Sequence, residues 1–260
     1  MKHFFLLSDD PRFDALEKRL SFYSYPVFRA LINKFPEESV LVFSLGAKEE
    51  TVLSAMENAP EGSVVFVGRK TNALLSFCNR RGIRLIPLLE NEIYLNQNAA
   101  ATAEGFLGEC IGKTDATLSD QTFLVIGYGN CGKAIAKLLY LCGGEVYVHS
   151  HSGSMEKASS DGFSVFPAFT KKLSMFDCIV NTVPAPIFDE NFFGLCRSGT
   201  HFFQIASGLS GIDPERAKKC GVIFHPLPAL PAKYSPVTEG DNLFAALDSI
   251  LKLSIPPERE

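Results

Sequence analysis

The chain has 260 residues, 46% apolar and 21% charged, with a net charge of −4. At ~100 to 200 residues per domain it has room for two cores, and no low-complexity tract argues for disorder. Its 25 basic residues are scattered, the densest groups being pairs such as Arg80-Arg81, Lys171-Lys172 and Lys218-Lys219, which excludes the basic stripe of a nucleic-acid surface.

The N-terminal apolar run is too short for an export signal, and no stretch approaches the ~18 to 20 apolar residues of a membrane helix. A soluble, cytoplasmic protein with no membrane partner is expected. From the N-terminus, runs of strand character at His3–Leu7, Ser39–Phe43, Ser63–Val67 and Ile83–Leu88 alternate with helical patterns at Arg12–Leu20, Glu49–Asn58 and Thr71–Arg81. Gly82 stands where a helix C-terminus favours glycine. Such alternation predicts a parallel sheet, so residues 1–97 are expected to form a small Rossmann-like or flavodoxin-like domain. Residues 98–117 predict a connecting helix over Asn98–Ile111, with Thr102 and Glu104 near its beginning. Six further runs follow, at Thr122–Ile126, Glu145–His149, Phe163–Phe166, Cys178–Val183, His201–Ile205 and Val222–Phe224. They suit a second Rossmann sheet over residues 118–238. A last helix, within 239–260, carries Leu243, Phe244, Leu247, Ile250 and Leu251 on one face and is expected to pack back on the first domain. The expected class is α/β, two Rossmann-like domains with parallel sheets. Seven cysteines, with no pair at metal-knuckle spacing, read as reduced residues of cores and helices, and no metal site is expected.

The sharpest motif is the turn Gly127-Tyr128-Gly129-Asn130-Cys131-Gly132, set between the buried run Phe123–Ile126 and a helical pattern from Cys131 to Leu141. In a dinucleotide-binding turn the first glycine permits the bend, the second lets the backbone approach a pyrophosphate, and the third lets helix and strand pack closely. Amides at the helix start hold the anion. Strand, turn, helix and next strand in about thirty residues supply the context the motif needs. The next strand ends Val148-His149-Ser150-His151-Ser152, without the carboxylate that usually takes the ribose hydroxyls of NAD. Hydroxyls and a protonatable imidazole can hydrogen-bond a 2′-phosphate, which favours NADP and keeps NAD as the alternative.

Five stretches, at 90–107, 125–139, 181–188, 205–213 and 225–240, resemble the family of dipicolinate synthase A subunits in order and spacing. Thr102-Ala103-Glu104-Gly105 and Asn181-Thr182-Val183-Pro184-Ala185 are the most specific pieces. The second domain is more distantly similar to those of D-2-hydroxyacid dehydrogenases. The resemblance implies an NADP-dependent oxidoreductase that converts a tetrahydrodipicolinate-type precursor to dipicolinate in sporulation, with a flavoprotein-like second subunit. The chain is also expected to form a homo-oligomer. Thr102, Ala103, Glu104 and Gly105 would line an interdomain cleft. Asn181, Thr182, Val183 and Pro184 would lie beside the cofactor after the fourth strand, and Ala206, Ser207 and Gly208 after the fifth. The chain departs from the family at His151 (Arg in the family), at Gly208-Leu209-Ser210-Gly211 (Lys-Pro-Gly-Gly), at Gln204 (Asp) and at Val237 (Lys). These departures keep open a dehydrogenase or reductase of another small carboxylate, and a non-catalytic NADP-binding partner or regulatory subunit.

Hydride transfer needs one group to move the coupled proton. His225, expected just past a strand end, is the first candidate, and Glu104 at the start of the connecting helix the second. Arg69, Lys70 and Lys233 are the cations available to an acidic substrate. Cys131 is expected to pack at the helix start rather than react. The proline-rich stretch Pro226–Pro236 is expected to be a stiff loop over the nicotinamide end, since proline fixes φ.

Overall fold

A computed structural model of the chain describes residues 1–30, 32, 34–207 and 212–253. The chain divides into two compact units, one built from Met1–Asn98 and the chain from Ser235 onward, the other from Ala99–Tyr234.

The first unit runs β1 (His3–Leu7), α1 (Arg12–Phe22), β2 (Val27–Phe28), β3 (Ser39–Phe43), α2 (Glu49–Met56), β4 (Val64–Val67), α3 (Asn72–Arg81) and β5 (Arg84–Pro87), then enters α4 (Glu92–Lys113). Its sheet has the order β2-β1-β3-β4-β5, and every neighbouring pair is parallel. All five residues of β3 are buried, the pattern of a parallel strand covered on both faces. Thr71 caps α3 by accepting the Leu74 amide at 3.2 Å, and Gly82 ends it in the left-handed region at φ 62°. The edge strand β2 was not expected. Two residues carry no periodicity, and they are held by pairing with Phe4 and Phe5 and by Phe28 stacked on Phe5 at 4.9 Å.

Helix α4 begins six residues before the expected start, because the Asn91 side chain accepts the Tyr94 amide at 3.0 Å and caps it there. Thr102 and Glu104 therefore lie in mid-helix, a correction to their expected place at its beginning.

The second unit continues with β6 (Thr122–Ile126), α5 (Asn130–Leu141), β7 (Glu145–His149), α6 (Ser152–Ser160), β8 (Ser164–Val165), β9 (Cys178–Asn181), α7 (Glu190–Gly194), β10 (His201–Gln204), α8 (Pro214–Lys219), β11 (Ile223–Pro226) and α9 (Leu230–Tyr234). Its six parallel strands have the order β11-β10-β9-β6-β7-β8, so the chain reverses direction across the sheet between β6 and β9. That reversal is the topological switch point outside which ligands bind in open α/β sheets. β11 extends to Pro226, which places His225 inside the strand instead of after it. The stretch expected as a stiff proline loop instead contains α9, and Pro236 opens α10 (Pro236–Leu251) at its first turn, where proline lacks no helical partner.

Helix α10 lies in the first unit. Leu243, Leu247 and Phe244 pack with Phe13, Leu16 and Leu20 of α1, as the apolar face of the last helix predicts, and Tyr23 stacks on Phe244 at 5.3 Å. At the start of α10 the wholly buried Glu239 accepts hydrogen bonds from Tyr94 (3.3 Å) and Asn242 (2.8 Å). Among the described residues no helix is long and apolar enough to cross a membrane.

Candidate functional site: the glycine turn and the strand ends around it

The turn after β6 is built as its glycines predict. Gly127 has φ 96°, its amide donates to the His149 carbonyl at 2.8 Å, and a Cβ there would strike Thr182 and Val183. At Gly132 a Cβ would strike the Gly127 carbonyl, so the first turn of α5 packs directly on the bend. Gly129 differs. A Cβ there would meet no atom within 4 Å, and no side chain caps the helix that it begins. The first amides of α5 have no partner within the helix. An open approach leading to uncapped amides at a helix N-terminus is the cradle a pyrophosphate requires.

Tyr128 anchors this bend from behind. It is buried, its hydroxyl donates to Asp161 at 2.9 Å, and Lys133 reaches the same carboxylate oxygen at 2.7 Å. The Lys133 and Tyr128 bonds hold the Asp161 carboxyl below its usual range, while burial pushes the Tyr128 phenol up. Asn130 is exposed on the first turn of α5. Cys131 is half-buried and hydrogen-bonded to Thr102, and burial raises its thiol, so it packs at the helix start as expected.

At the end of β7, His149 is tied to the Phe166 carbonyl through Nδ1 at 2.7 Å and lies against the Phe169 ring at 4.2 Å. Ser150 is half-buried and His151 exposed. His151 caps α6 through its backbone carbonyl, which accepts the Ser154 and Met155 amides, while its Nε2 lies 2.9 Å from the Ser154 hydroxyl. This second helix start, with Ser152 in its first turn, presents hydroxyls, amides and an imidazole but no carboxylate.

The last residues of β6, β9, β10 and β11 stand in register as Ile126, Asn181, Gln204 and Pro226. β9 stops two residues before the expected Val183 because the buried Asn181 side chain takes over the backbone of Val183, accepting its amide at 2.9 Å and donating to its carbonyl at 3.0 Å. Asn181 also donates to Gln204 Oε1 at 2.8 Å, and Gln204 donates to the Ala206 carbonyl at 3.1 Å. The Thr182 hydroxyl donates to the Ile126 carbonyl at 2.9 Å, and Pro184 is exposed beyond it. Asn181, Thr182, Val183 and Ala206 are thus joined at the C-terminal rim that carries the glycine turn, with Ser207 exposed beside them. Gly208 and the rest of the stretch 208–211 lie outside the described residues.

Other expectations are corrected. His225 does not stand free at a strand end. Its Nε2 lies 3.0 Å from Nδ1 of His201, the first residue of β10, and its ring stacks on Phe203 at 4.8 Å, so it leans toward the opposite rim of the sheet. Burial, with the charges of His201 and Lys113 against that of Glu109, pushes its imidazole down to about 4. Ala103 belongs to the core of the second unit. Gly105 serves packing, since a Cβ would come within 3.1 Å of Leu230 and of Tyr234. Glu104 is exposed and too far along α4 to meet a helix N-terminus. Lys233 forms an ion pair with Glu109, which also accepts the Tyr234 hydroxyl at 2.8 Å. Lys233 and Tyr234 bring the Glu109 carboxyl down to about 2. In the first unit Lys70 pairs with Glu90 at 2.7 Å, and Arg69 is exposed after β4 with no ion pair among the described residues. Sequence reasoning missed Glu109, Tyr234 and His201, each of which works through a partner more than twenty residues away.

Residues 98–210 match the family described as D-isomer specific 2-hydroxyacid dehydrogenase, NAD binding domain. With the open glycine bend, this defines the class: the chain carries the nicotinamide-cofactor domain of an NAD(P)-dependent oxidoreductase. Within that class it is similar to the dipicolinate synthase A subunit of Bacillus subtilis (strain 168), at 27% identity over 217 residues, covering 81% of this chain and 73% of that protein. This is the family the sequence motifs resemble. In fold it is similar to the crystal structure of the dipicolinate synthase A subunit from Bacillus halodurans, with TM-score 0.83, 22% identity and 98% of each chain covered. It is also similar to apo D-lactate dehydrogenase from Escherichia coli, with TM-score 0.64, 13% identity and coverage of 98% of this chain and 99% of that one.

Proposed function

We propose that this chain is an NADP-dependent oxidoreductase that acts on a tetrahydrodipicolinate-type ring bearing a hydroxyl group, which loses water and passes one hydride to NADP and one proton to the protein to yield dipicolinate in sporulating cells. The observation that carries the reading is the Gly129 approach, open to 4 Å and facing the uncapped start of α5, next to a β7 end without a carboxylate. A bound nicotinamide would supply the hydride acceptor. The chain's own residues grip the diphosphate through the amides of Asn130, Cys131 and Gly132. Ser150, His151 and Ser152 offer donors to a 2′-phosphate, and His151 gives less than a permanent guanidinium fork would. With His225 engaged by His201, the exposed Glu104 is the carboxylate assigned to the coupled proton. Self-association and a flavoprotein-like second subunit belong to the same reading.

Replacing Ser150 by Asp together with His151→Ala should shift the ratio of NAD to NADP affinity toward NAD by about tenfold or more, because a carboxylate repels a 2′-phosphate and accepts ribose hydroxyls. Isothermal titration with each cofactor measures it, and an unaltered ratio removes these residues from the site. Formation of reduced nicotinamide from NADP and the ring substrate, with and without the flavoprotein-like subunit, tests the reaction. A second reading, a non-catalytic NADP-binding subunit, is favoured by the engagement of both His225 and Lys233. Cofactor binding without hydride transfer under either condition would select it.

A further inference from the structure

We propose that Asn181 and Gln204 are a pair of positioning residues that set the surface for the nicotinamide half of the cofactor, a role that rests on the dinucleotide reading above. The sheet order assigns one mononucleotide half to β6, β7 and β8 and the other to β9, β10 and β11. The glycine turn and the Ser150–Ser152 segment both belong to the first half. The described residues that follow β9 (182–186) and β10 (205–207) therefore stand on the side of the second, nicotinamide half.

One amide pair holds residues at the start of each segment. Asn181 is 0% exposed and Gln204 4%. They are register partners at the ends of adjacent strands and are joined by the 2.8 Å bond from Asn181 Nδ2 to Gln204 Oε1. From there Asn181 holds Val183 at both its amide and its carbonyl, and Gln204 holds the Ala206 carbonyl. The Asn181 backbone carbonyl adds bonds from the amides of Ile205 (2.9 Å) and Ala206 (3.2 Å). Asn181 thus donates twice from one nitrogen, and Gln204 accepts and donates at once. A carboxylate at 204 could accept from Asn181 but would set its negative charge against the Ala206 carbonyl. A buried amide left without its partner carries a penalty that a shift of the residues it holds would relieve. The loop after β9 is also tied to the glycine turn, through Thr182 and Ile126, so its placement is relative to the cofactor's own cradle.

Two ligands separate this role from a general loss of structure, namely NADP and its fragment 2′-phospho-ADP-ribose, which lacks the nicotinamide. For Gln204→Glu and Asn181→Asp, affinity for NADP at neutral pH should fall about tenfold or more while affinity for the fragment stays within about twofold of wild type. In Gln204→Glu the deficit, taken as the ratio to wild type at each pH, should close as the pH falls toward about 5, because the protonated acid regains a donor for Ala206. Equal losses for both ligands would mean that the pair only supports the fold. Unchanged NADP affinity would mean that the loops do not need it. Either result overturns the proposal while leaving cofactor binding intact. Wild-type protein that binds neither ligand would instead remove the dinucleotide reading and this inference with it.

Discussion

Glycines 129 and 132 sit three residues apart and answer to different demands. At Gly132 the constraint is internal, since a methyl group would be driven into the Gly127 carbonyl, whereas at Gly129 the space is empty and only an arriving diphosphate would need it. Gly129 has an extended backbone at φ −80°, a conformation open to any residue. Gly129→Val should therefore leave the melting temperature within a degree or two of wild type and abolish dinucleotide binding. Gly132→Ala should lower stability by about 1–3 kcal/mol, the usual range for overpacking a close contact. Denaturation and cofactor titration of both variants check the contrast, and a Gly129→Val protein that still binds normally would take the diphosphate away from this turn.

At the level of elements, β1, β3, β4, β6, β9 and β10 were legible because each is a largely buried, mostly apolar run, and the glycine turn because its motif falls within six residues. The start of α4 was missed because its cap, Asn91, sits inside a polar stretch that offers several others. β2, α9 and the inward lean of His225 depend on neighbours distant in sequence, and no local pattern announces them. The pairing of His201 with His225 across β10 and β11 has a consequence for acid sensitivity. Burial first, then mutual repulsion, lowers the His225 imidazole to about 4, and burial lowers His201 as well. An unfolded chain takes up these protons near pH 6.5 while the folded one refuses them. The two residues thus contribute stability that is present above pH 6.5 and is lost as the pH falls toward about 4. His225→Gln should flatten the fall in unfolding free energy across that window by roughly 1–2 kcal/mol once partial exposure is discounted. Denaturant titrations at stepped pH measure the difference, and parallel curves for variant and wild type would refute the coupling.

At the scale of the whole molecule, the first unit is made from two separated pieces of chain, and α10 supplies a large share of its core. Leu247 is wholly buried there. Leu247→Ala should cost about 2–5 kcal/mol by leaving a cavity between α10 and α1, read as a lowered denaturation midpoint; a loss under about 1 kcal/mol would show that the helix is only loosely seated. This architecture also fixes an order of events during synthesis. Domains generally fold as they leave the ribosome, N-terminal first, but here the opening sheet must wait with α1 uncovered while the entire nucleotide unit is translated and can finish first. Through that interval the nascent chain shows a greasy, half-built surface, and a chaperone that shelters α1 until α10 emerges would raise the yield of native protein.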